Sequence, residues 1–376
     1  MNLLITGAWT SKYIDEIEEE GHKVLFMQQE KDKLPCAYDW PEGIICNGLF
    51  LYHPLSRFTN LRYIQLTSAG LDRVPMQDIL KRKIEIHSAR GVYSVPMAEF
   101  AVAGVLDLYK DMDRFRDQQK NHAWIKNRQV RELAGSRVLI VGCGSVGTEC
   151  AKRFKAFGCR ITGVDRSAIE AGNGSRIKDR NQDRIKDRNC DRIKDWNDVG
   201  NCDRGDDRIK DRNDVGNCDR GDDRIKDWND VGNLGERFEK IYDQIRPPEA
   251  LDEELPASDI VILSLPLTDE TQGMIDERRL SLIKGILVNI SRGALVDRRA
   301  LEKWEGAAVL DVFEEEPLPP ESPLWEKENM IITPHNSFVG DGNAERLKAL
   351  IMGNMRKVCN LPGLQEAGRG QIGNEE

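Results

Sequence analysis

Six residues near the middle of the chain, Gly142-Cys-Gly-Ser-Val-Gly147, join an apolar run to a stretch with helical character. That run, Arg137–Val141, predicts a strand, and a second apolar run, Arg160–Val164, follows the helical stretch. Glycines at this spacing are weak evidence alone, but a strand, a turn, a helix and a second strand are the context that a dinucleotide-binding unit requires. The sequence therefore predicts a parallel α/β sheet that holds a dinucleotide at its carboxyl edge.

Each glycine of this turn has a predicted task. Gly142 permits the tight turn, Gly144 lets the backbone approach the pyrophosphate, and Gly147 lets the helix pack closely against the strand. Ser145 and Val146 begin the helix, whose N-terminus presents amide N–H groups and a positive dipole end to the phosphates. All five residues are therefore predicted to bind the cofactor.

Asp165 follows the second strand and is placed to accept hydrogen bonds from the ribose hydroxyls of the adenosine. A carboxylate there repels a 2′-phosphate, which favours NAD over NADP. Arg166 and Ser167 come next, and such a pair could hold a 2′-phosphate if the aspartate turned away. NAD is therefore the predicted cofactor and NADP the alternative.

Apolar runs alternate with helix-like stretches along both halves of the chain, as in parallel sheets covered by helices on both faces. The first half contains five predicted strands, namely Asn2–Thr6, Lys23–Met27, Gly43–Cys46, Leu61–Leu66 and Ile84–His87. The second half contains six, namely Arg137–Val141, Arg160–Val164, Asp259–Leu263, Gly285–Ile290, Ala307–Leu310 and Asn329–Thr333. The predicted fold is α/β with two doubly wound parallel sheets.

Two longer helices are predicted outside these strands. The stretch from Pro96 to about Trp124 is apolar almost all round at first and charged later, which predicts one helix that begins buried and emerges into solvent. The stretch from about Asn343 to Cys359 also has helical periodicity.

A tandem repeat runs from Arg176 to Asn233, with units such as RIKDRNQD and RIKDWNDVGNCDRGDD. Its 58 residues include 15 Lys or Arg and 16 Asp, and so little apolar material favours disorder. The run from Asp195 to Gly200 resembles a calcium loop, but Val199 stands where an oxygen ligand is needed. Partner binding through the charges and an ordered solenoid are the competing interpretations.

Charge and composition narrow the choice of partners. The 376 residues carry a formal net charge of −9, which argues against nucleic acid or an anionic membrane as the main partner. No run approaches 18 apolar residues, and the N-terminus lacks the features of a signal peptide. The nine cysteines form no CxxC pair, which indicates reduced thiols in the cytoplasm. Histidines and cysteines are scattered without the spacing of metal ligands.

Of the five histidines, only His335 directly follows an apolar strand, in the segment ITPHNS. Catalytic groups of doubly wound sheets lie at such strand ends. The sequence context of His22, His53 and His122 is that of solvated surface residues, and His87 ends a strand as a packed core or edge residue.

Two further strands carry charged residues at their carboxyl ends. Arg292 follows one of them, and Asp311 and three glutamates follow the next. A guanidinium can hold a carboxylate through two bonds, and an imidazole can move a hydroxyl proton while a hydride moves to a nicotinamide. A carboxylate beside the imidazole would keep its acid form available. The set indicates an oxidoreductase of hydroxy acids, and spacing alone leaves open which glutamate is the partner.

At this point the chain resembles the D-isomer-specific 2-hydroxy-acid dehydrogenases. The resemblance covers nearly all of the chain outside the repeat and rests on segments in the family's order: LTSAGLDRVP, SARGVYSVPMAEF, VGCGSVG, SLPLTDETQGMID, VNISRGALVD, LDVFEEEPLPPESPLW and ITPHN. It implies a flavodoxin-like substrate domain (residues 1–96, completed by 337–376), a Rossmann domain (97–336) interrupted by the repeat, and homodimers paired through the helix that starts near Val95.

The resemblance also implies roles for single residues. The carboxylate anchor falls on Arg292, the acid/base on His335, and its partner on Glu316, the glutamate directly before proline. The backbone of Ala69 and Gly70 would cradle the substrate carboxylate. Two further residues would contact the cofactor: Asp311 would face the nicotinamide carboxamide, and Pro266 would lie near the bound cofactor.

Two departures from the family pattern leave alternatives to an active enzyme. The repeat is foreign to the family, and the stretch 297–310 is about five residues shorter than expected, which could displace Glu316. A non-catalytic NAD(H)-sensing protein and an inactivated enzyme on the same fold are the two alternatives. The substrate is a small 2-hydroxy or 2-keto acid of open identity. Leu49 and Phe50 could line an apolar pocket wall or could pack in the core.

Overall fold

A computed structural model of the protein describes residues 1–7, 11–71, 73–166 and 241–359. Contacts within these residues divide the chain into two compact units. The first unit contains residues 1–92 and 342–359, and the second contains residues 93–166 and 241–341. The repeat 176–233, Ser167 and the end of the chain lie outside the described residues.

The first unit is built on a parallel sheet of five strands in the order β2-β1-β3-β4-β5. Its elements along the chain are β1 (Asn2–Thr6), α1 (Ser11–Glu19), β2 (Lys23–Met27), β3 (Gly43–Cys46), β4 (Tyr63–Leu66), α2 (Met76–Lys81) and β5 (Glu85–His87). Every residue of the interior strands β3 and β4 is buried. Both faces of the sheet are therefore covered at these strands. The order is that of flavodoxin-like sheets, the fold that the family resemblance implies for this domain.

The second unit contains a parallel sheet in the order β12-β11-β10-β9-β6-β7-β8. Its elements are α3 (Ser94–Lys110), α4 (Met112–Lys120), β6 (Arg137–Val141), α5 (Ser145–Ala156), β7 (Arg160–Val164), β8 (Gln244–Arg246), α6 (Leu251–Glu254), β9 (Ile260–Leu263), α7 (Glu277–Leu282), β10 (Ile286–Asn289), α8 (Arg298–Lys303), β11 (Ala307–Leu310) and β12 (Met330–Ile332). The order reverses between β6 and β9, which is the switch point where Rossmann sheets bind their ligand. The two predicted parallel sheets are thereby confirmed.

The C-terminal helix α9 (Asn343–Cys359) belongs to the first unit, with the bounds that the sequence predicts. Its polar face is joined to α1, where Lys348 lies 2.5 Å from Glu16 and the Tyr13 hydroxyl donates to Glu345 at 2.8 Å. On its buried side, the Asn354 amide donates to Gln65 Oε1 at 2.8 Å. Polar contacts on both sides therefore fix the helix on the sheet of the first unit.

One predicted element was wrong, and one strand was missed. The stretch 96–124 is not one helix, because Asp111 has a left-handed backbone (φ 53°) that separates α3 from α4. Its carboxylate Oδ2 accepts a hydrogen bond from the Asn127 amide at 2.7 Å, which holds the break. Strand β8 was missed because three residues with a single isoleucine give no readable pattern, and only pairing with β7 makes them a strand.

Helices pack on both faces of the second sheet, and each face has its own apolar core. Helix α3 lies close to the sheet at Gly104, where a Cβ would lie 2.6 Å from Val309 Cγ1. A side chain at this position would therefore force the helix away from β11. In the described parts of the chain, the helices are too short or too polar to cross a membrane.

Candidate active site

The glycine turn after β6 has the geometry that a bound pyrophosphate requires. Gly142 has a left-handed backbone (φ +98°), and a Cβ there would lie 2.8 Å from Leu265 Cδ2. A Cβ on Gly147 would lie 2.1 Å from the Gly142 carbonyl oxygen, so only glycine lets α5 begin this close to β6. Gly144 precedes Ser145 and Val146 in the first turn of α5, whose amide groups are the donors of a helix N-terminus. These residues fit a dinucleotide phosphate.

Asp165 lies beside this turn, at the end of β7. Its Oδ2 accepts a hydrogen bond from the Cys143 amide at 2.7 Å, and its own amide donates to the Arg246 carbonyl at 3.0 Å. The carboxylate is therefore fixed against the glycine turn, where the sequence predicts the adenosine ribose. Arg166 is exposed in the following turn.

The loop after β9 completes the edge of the sheet at the switch point. Ser264 donates from Oγ to the Gly142 carbonyl at 2.6 Å, which ties this loop to the glycine turn. Pro266 is exposed, and its carbonyl accepts a hydrogen bond from Thr271 Oγ1 at 2.8 Å. Proximity of Pro266 to a bound cofactor stays a prediction.

His335 and Glu316, which follow the neighbouring strands β12 and β11, are brought into direct contact. His335 Nδ1 lies 2.7 Å from Glu316 Oε2, and Glu316 Oε1 accepts a hydrogen bond from the Phe313 amide at 2.9 Å. The side chains are 41% and 35% exposed, so both are accessible to a small molecule. The Phe338 ring and the imidazole are nearly perpendicular, with ring centroids 5.9 Å apart. The carboxylate fixes one imidazole nitrogen and leaves the other for proton transfer.

The shortened stretch 297–310 does not separate this pair. Helix α8 is only six residues long, yet β11 keeps its full register with β10 and β12. From that helix Arg298 binds Glu302 at 2.9 Å and Glu315 at 2.7 Å. Glu315 is thus an exposed ion-pair partner next to Glu316.

Arg292 follows β10 in a turn that Asn289 organises. The buried Asn289 side chain donates to the Arg292 carbonyl at 3.0 Å and accepts from the Ser291 hydroxyl at 3.0 Å. The guanidinium is half-buried and donates through Nη1 to the Ser291 carbonyl at 2.8 Å. A Cβ on Gly293 would lie 1.8 Å from the Phe313 carbonyl carbon, so the Arg292 turn and the turn before Glu316 meet backbone to backbone.

Asp311 is fully buried directly after β11, and its carboxylate accepts hydrogen bonds from the turn that carries His335. Contact with a nicotinamide carboxamide stays a prediction, and in the conformation observed the side chain has no exposed surface for it.

In the first unit, Ala69 and Gly70 lie in the turn after β4. Ala69 is exposed, Ser68 Oγ donates to the Gly70 carbonyl at 3.1 Å, and the Ala89 amide donates to the Ser68 carbonyl at 2.8 Å. The turn is therefore held from two sides, and its role in binding a substrate carboxylate stays a prediction.

The segment after β3 decides between the two roles that the sequence leaves open for Leu49 and Phe50. Leu49 is fully buried and Phe50 packs edge-on against Phe58 with ring centroids 6.1 Å apart, so both belong to the core. Leu51 and Tyr52 are exposed instead, by 63% and 56%. A short 3-10 helix over Leu49–Leu51 causes this change of side, which strand or helix periodicity does not predict.

The same segment is held by a partly buried polar network that the sequence did not reveal. The Glu30 carboxylate accepts hydrogen bonds from the amides of Asn47 at 2.7 Å and Gly48 at 2.8 Å. His53, predicted to be solvated, is only 8% exposed. Its Nε2 lies 3.0 Å from the Glu30 carbonyl and its Nδ1 lies 2.9 Å from the Tyr38 hydroxyl, and these polar contacts make its burial possible.

Comparison with protein families matches part of this chain. A family model described as "D-isomer specific 2-hydroxyacid dehydrogenase, NAD binding domain" matches residues 102–186 and 234–337. The match omits residues 187–233, all of which lie within the repeat. A glyoxylate reductase of Korarchaeum cryptofilum is 28% identical over 308 residues, which are 78% of this chain and 72% of the relative.

Solved structures share the fold. A D-lactate dehydrogenase of Aquifex aeolicus complexed with NAD and lactic acid aligns with a TM-score of 0.63 at 21% identity, over 100% of both chains. An NADPH-dependent glyoxylate/hydroxypyruvate reductase of Sinorhizobium meliloti aligns with a TM-score of 0.64 at 19% identity, over 96% of this chain and 95% of that one.

Proposed function

Because this chain belongs to the D-isomer specific 2-hydroxyacid dehydrogenase family, we propose that it transfers a hydride between NAD(H) and a small D-2-hydroxy acid or the corresponding 2-keto acid. The family and the glyoxylate reductase relative support nicotinamide-dependent oxidoreduction of hydroxy acids as the class of reaction. The choice of NAD, the substrate and the roles of single residues rest on the site.

The observation that carries the proposal is the contact between His335 Nδ1 and Glu316 Oε2 at 2.7 Å, with Arg292 at the end of the adjacent strand. A structural histidine is usually enclosed, whereas this one keeps 41% of its side chain exposed. An exposed imidazole oriented by a carboxylate, with a guanidinium and a glycine turn after other strands of the same sheet, is the set of groups that hydroxy-acid oxidation needs.

In this proposal, three side chains of the site have separate roles in binding the substrate, moving the proton and orienting the imidazole. Arg292 uses one N–H group to bind the Ser291 carbonyl, and its planar fork can hold a substrate carboxylate through two others. His335 takes the hydroxyl proton when the substrate is oxidised and returns it when the ketone is reduced. Glu316 holds Nδ1, so that Nε2 carries this proton. A bound nicotinamide supplies or takes the hydride.

NAD is the proposed cofactor because of Asp165. Its carboxylate is bound to the Cys143 amide at 2.7 Å and therefore stays at the edge of the glycine turn, where a 2′-phosphate would meet a negative charge. One of the structural neighbours, the Sinorhizobium meliloti reductase, is NADPH-dependent. The exposed Arg166 is the residue through which this chain could accept NADPH.

A 2-keto acid with an apolar side chain is the proposed substrate class. Leu51 and Tyr52 expose apolar surface after β3, at the carboxyl edge of a sheet whose order reverses between β1 and β3. Ligands of doubly wound sheets bind at such edges. Glyoxylate, which the name of the relative indicates for that protein, has no side chain and would gain nothing from these residues. A homodimer in the cytoplasm remains the expected setting.

The test measures NADH oxidation by the full-length chain with glyoxylate, pyruvate and bulkier 2-keto acids, in parallel with NADPH. We expect turnover with NADH, and loss of about 10²–10⁴-fold in His335→Gln with NADH binding retained. His122→Gln is the matched control, since His122 is exposed and distant in sequence from the site.

Two results would contradict the proposal. Equal turnover by His335→Gln would exclude this histidine as the acid/base. NADH binding without turnover of any keto acid would favour the sensing protein or the inactivated enzyme. A larger kcat/KM for glyoxylate than for bulkier keto acids would overturn the proposed substrate class alone.

A further inference from the structure

The side chain of Cys143 lies behind the glycine turn, in a space that Gly163 leaves open. A Cβ on Gly163, in β7, would lie 2.5 Å from Cys143 Sγ. The same Cβ would lie 3.0 Å and 3.1 Å from two ring carbons of Tyr242, which lies two residues before β8. Cys143 is only 5% exposed and Tyr242 only 4%. Gly163 and the Tyr242 ring therefore form a buried seat for the thiol.

Tyr242 is held in this position because the next residue is bound to β7 and α5. The Asp243 amide donates to the Ile161 carbonyl at 2.8 Å, and the Ile161 amide donates to the Asp243 carboxylate at 2.7 Å. Lys155 of α5 lies 2.5 Å from that carboxylate. Burial and the neighbouring Cys143 thiol raise the pKa of the Tyr242 phenol well above its usual value, so the ring stays uncharged.

The backbone of Cys143 makes the contact that links the glycine turn to the acidic residue after β7. Its amide donates to Asp165 Oδ2 at 2.7 Å, and the Gly142 amide donates to the Val164 carbonyl at 2.9 Å. Its carbonyl accepts from the Thr148 hydroxyl of α5 at 3.4 Å. Because closely packed interiors transmit displacements, a thiol moved out of its seat would shift this amide and its contact with Asp165.

We propose that Gly163 and Tyr242 are positioning residues for the dinucleotide, because the seat they form for the Cys143 thiol sets where the Cys143 amide holds Asp165. The assignment rests on the proposed function for the identity of the dinucleotide. The dinucleotide fingerprint gives tasks to its glycines and to the acidic residue after the second strand, and none to the side chain between the first two glycines. In this chain that side chain joins the turn to β7 and to the segment before β8.

The principal variant is Gly163→Ala, whose added methyl group overlaps the thiol. We expect the dissociation constant for NADH, measured by fluorescence titration, to rise about tenfold or more, since overpacking of a buried site displaces the backbone. Cys143→Ala, which keeps the amide and removes the thiol, is the reference for the double variant.

The double variant Gly163→Ala with Cys143→Ala tests whether the two positions act through one contact. Removal of the thiol leaves only the two ring contacts, which need a shift of a few tenths of an ångström. We therefore expect the double variant to bind NADH within about threefold of Cys143→Ala alone. A double variant that binds NADH no better than Gly163→Ala would overturn the proposal.

Two exchanges at position 242 test the other side of the seat. Tyr242→Phe keeps the ring and should bind NADH within about threefold of the parent chain, whereas Tyr242→Leu removes the ring and should weaken binding about tenfold. Phe154→Leu is the matched control, because Phe154 is fully buried in the same core. It lies nine residues beyond Ser145, about 13 Å along α5. Equal losses in Phe154→Leu and Tyr242→Leu would overturn the assignment of Tyr242, since affinity would then follow core stability.

The reactivity of the Cys143 thiol provides a readout that needs neither NADH nor turnover. Labelling with N-ethylmaleimide, followed by peptide mapping, distinguishes Cys143 among the chain's nine cysteines. We expect labelling about tenfold faster in Gly163→Ala and Tyr242→Leu than in the parent chain, because a thiol out of its seat is exposed. Tyr242→Phe should label at the parent rate.

The two proposals fail in different ways. An unchanged labelling rate in Gly163→Ala would overturn the seat, whether or not the parent chain turns over a keto acid. A parent chain without turnover would contradict the proposed function, while the labelling rates would still decide whether Gly163 and Tyr242 position the turn.

Discussion

The Asp165 carboxylate serves the glycine turn and, in the proposed function, the cofactor. It binds the Cys143 amide at 2.7 Å, so its removal would both loosen the turn and remove a charge. Asparagine separates the two effects, because its amide oxygen can still accept from Cys143 while its charge is zero.

We therefore expect Asp165→Asn to raise the ratio of NADPH to NADH use at least tenfold, since repulsion of the 2′-phosphate disappears. Asp165→Ala should lose the bond as well and weaken both cofactors. The measurement is kcat/KM with each cofactor for the parent chain and both variants. An unchanged ratio in Asp165→Asn would show that Asp165 does not select the cofactor.

Single residues also show where sequence analysis fails. The placement of Arg292, His335 and a glutamate after strands of one sheet could be predicted, because strand ends of a parallel sheet share one edge. The choice of Glu316 among the three glutamates came from the family resemblance. The exposure of Leu51 and Tyr52 and the burial of His53 could not be predicted. The exposure of Leu51 and Tyr52 depends on a short 3-10 helix. The burial of His53 depends on a hydrogen bond to the Glu30 carbonyl, which is distant in sequence.

At the scale of elements, the turns after β10 and β11 pack directly against each other through their backbones. A Cβ on Gly293 would lie 1.8 Å from the Phe313 carbonyl carbon and 2.3 Å from the Glu314 amide nitrogen. Neither is the flexible end of a side chain, so the backbone itself must move. The turns that carry Arg292 and Glu316 would then separate.

Gly293→Ala should therefore lower kcat/KM about 100-fold and cost about 1–3 kcal/mol in stability. Gly353→Ala is the matched control, because that glycine lies inside α9 with no atom within 4 Å of the added Cβ. In a helix interior the exchange should stabilise by about 0.5–1 kcal/mol. Activity assays and urea unfolding measure both variants, and full activity of Gly293→Ala would show that the two turns move independently.

Asp243, just before β8, forms an ion pair with Lys155 of α5, from which we predict how the stability of the protein depends on pH. The ammonium of Lys155, at 2.5 Å, and the Ile161 amide, at 2.7 Å, hold the pKa of the Asp243 carboxyl below its usual value. A lowered pKa contributes stability that is present above the usual pKa near 4 and is lost as pH falls through the lower value.

Asp243→Asn should therefore lower the free energy of unfolding at pH 7 by about 0.5 kcal/mol, a small value because the carboxylate is 46% exposed. The difference from the parent chain should shrink as the pH falls below about 4. Urea unfolding at several pH values measures it, with the exposed Asp269→Asn as the control. A difference that stays constant with pH would contradict the ion pair.

Apolar runs predict the bounds of strands more reliably than they predict the helices between the strands. Six predicted strands agree with the structure at both ends, among them β1, β6 and β11. The break at Asp111 was not predictable, because a single left-handed residue leaves the pattern of α3 and α4 unchanged. At this break the Asp111 carboxylate accepts a hydrogen bond from the side chain of Asn127, sixteen residues further on.

At the scale of the whole molecule, both sheets follow from the order of apolar runs, and the repeat interrupts the second of them between β7 and β8. These strands are paired in parallel from Thr162 to Val164 despite the long connection. The family model likewise resumes at residue 234. The sheet therefore forms with its two neighbouring strands joined by a segment that the family pattern does not contain.

Removal of residues 176–233 should leave the enzyme active. The deletion keeps about 20 residues between β7 and β8, and a crossover between parallel strands needs only about 10–12. Because Asp165 and the glycine turn lie before the deleted segment, we expect kcat/KM and the dissociation constant for NADH to stay within about twofold of the full-length values. The measurement compares both chains with the same keto acid. A folded deletion variant that binds NADH but loses turnover would show that the repeat takes part in catalysis, and loss of NADH binding would show that it supports the adenosine site.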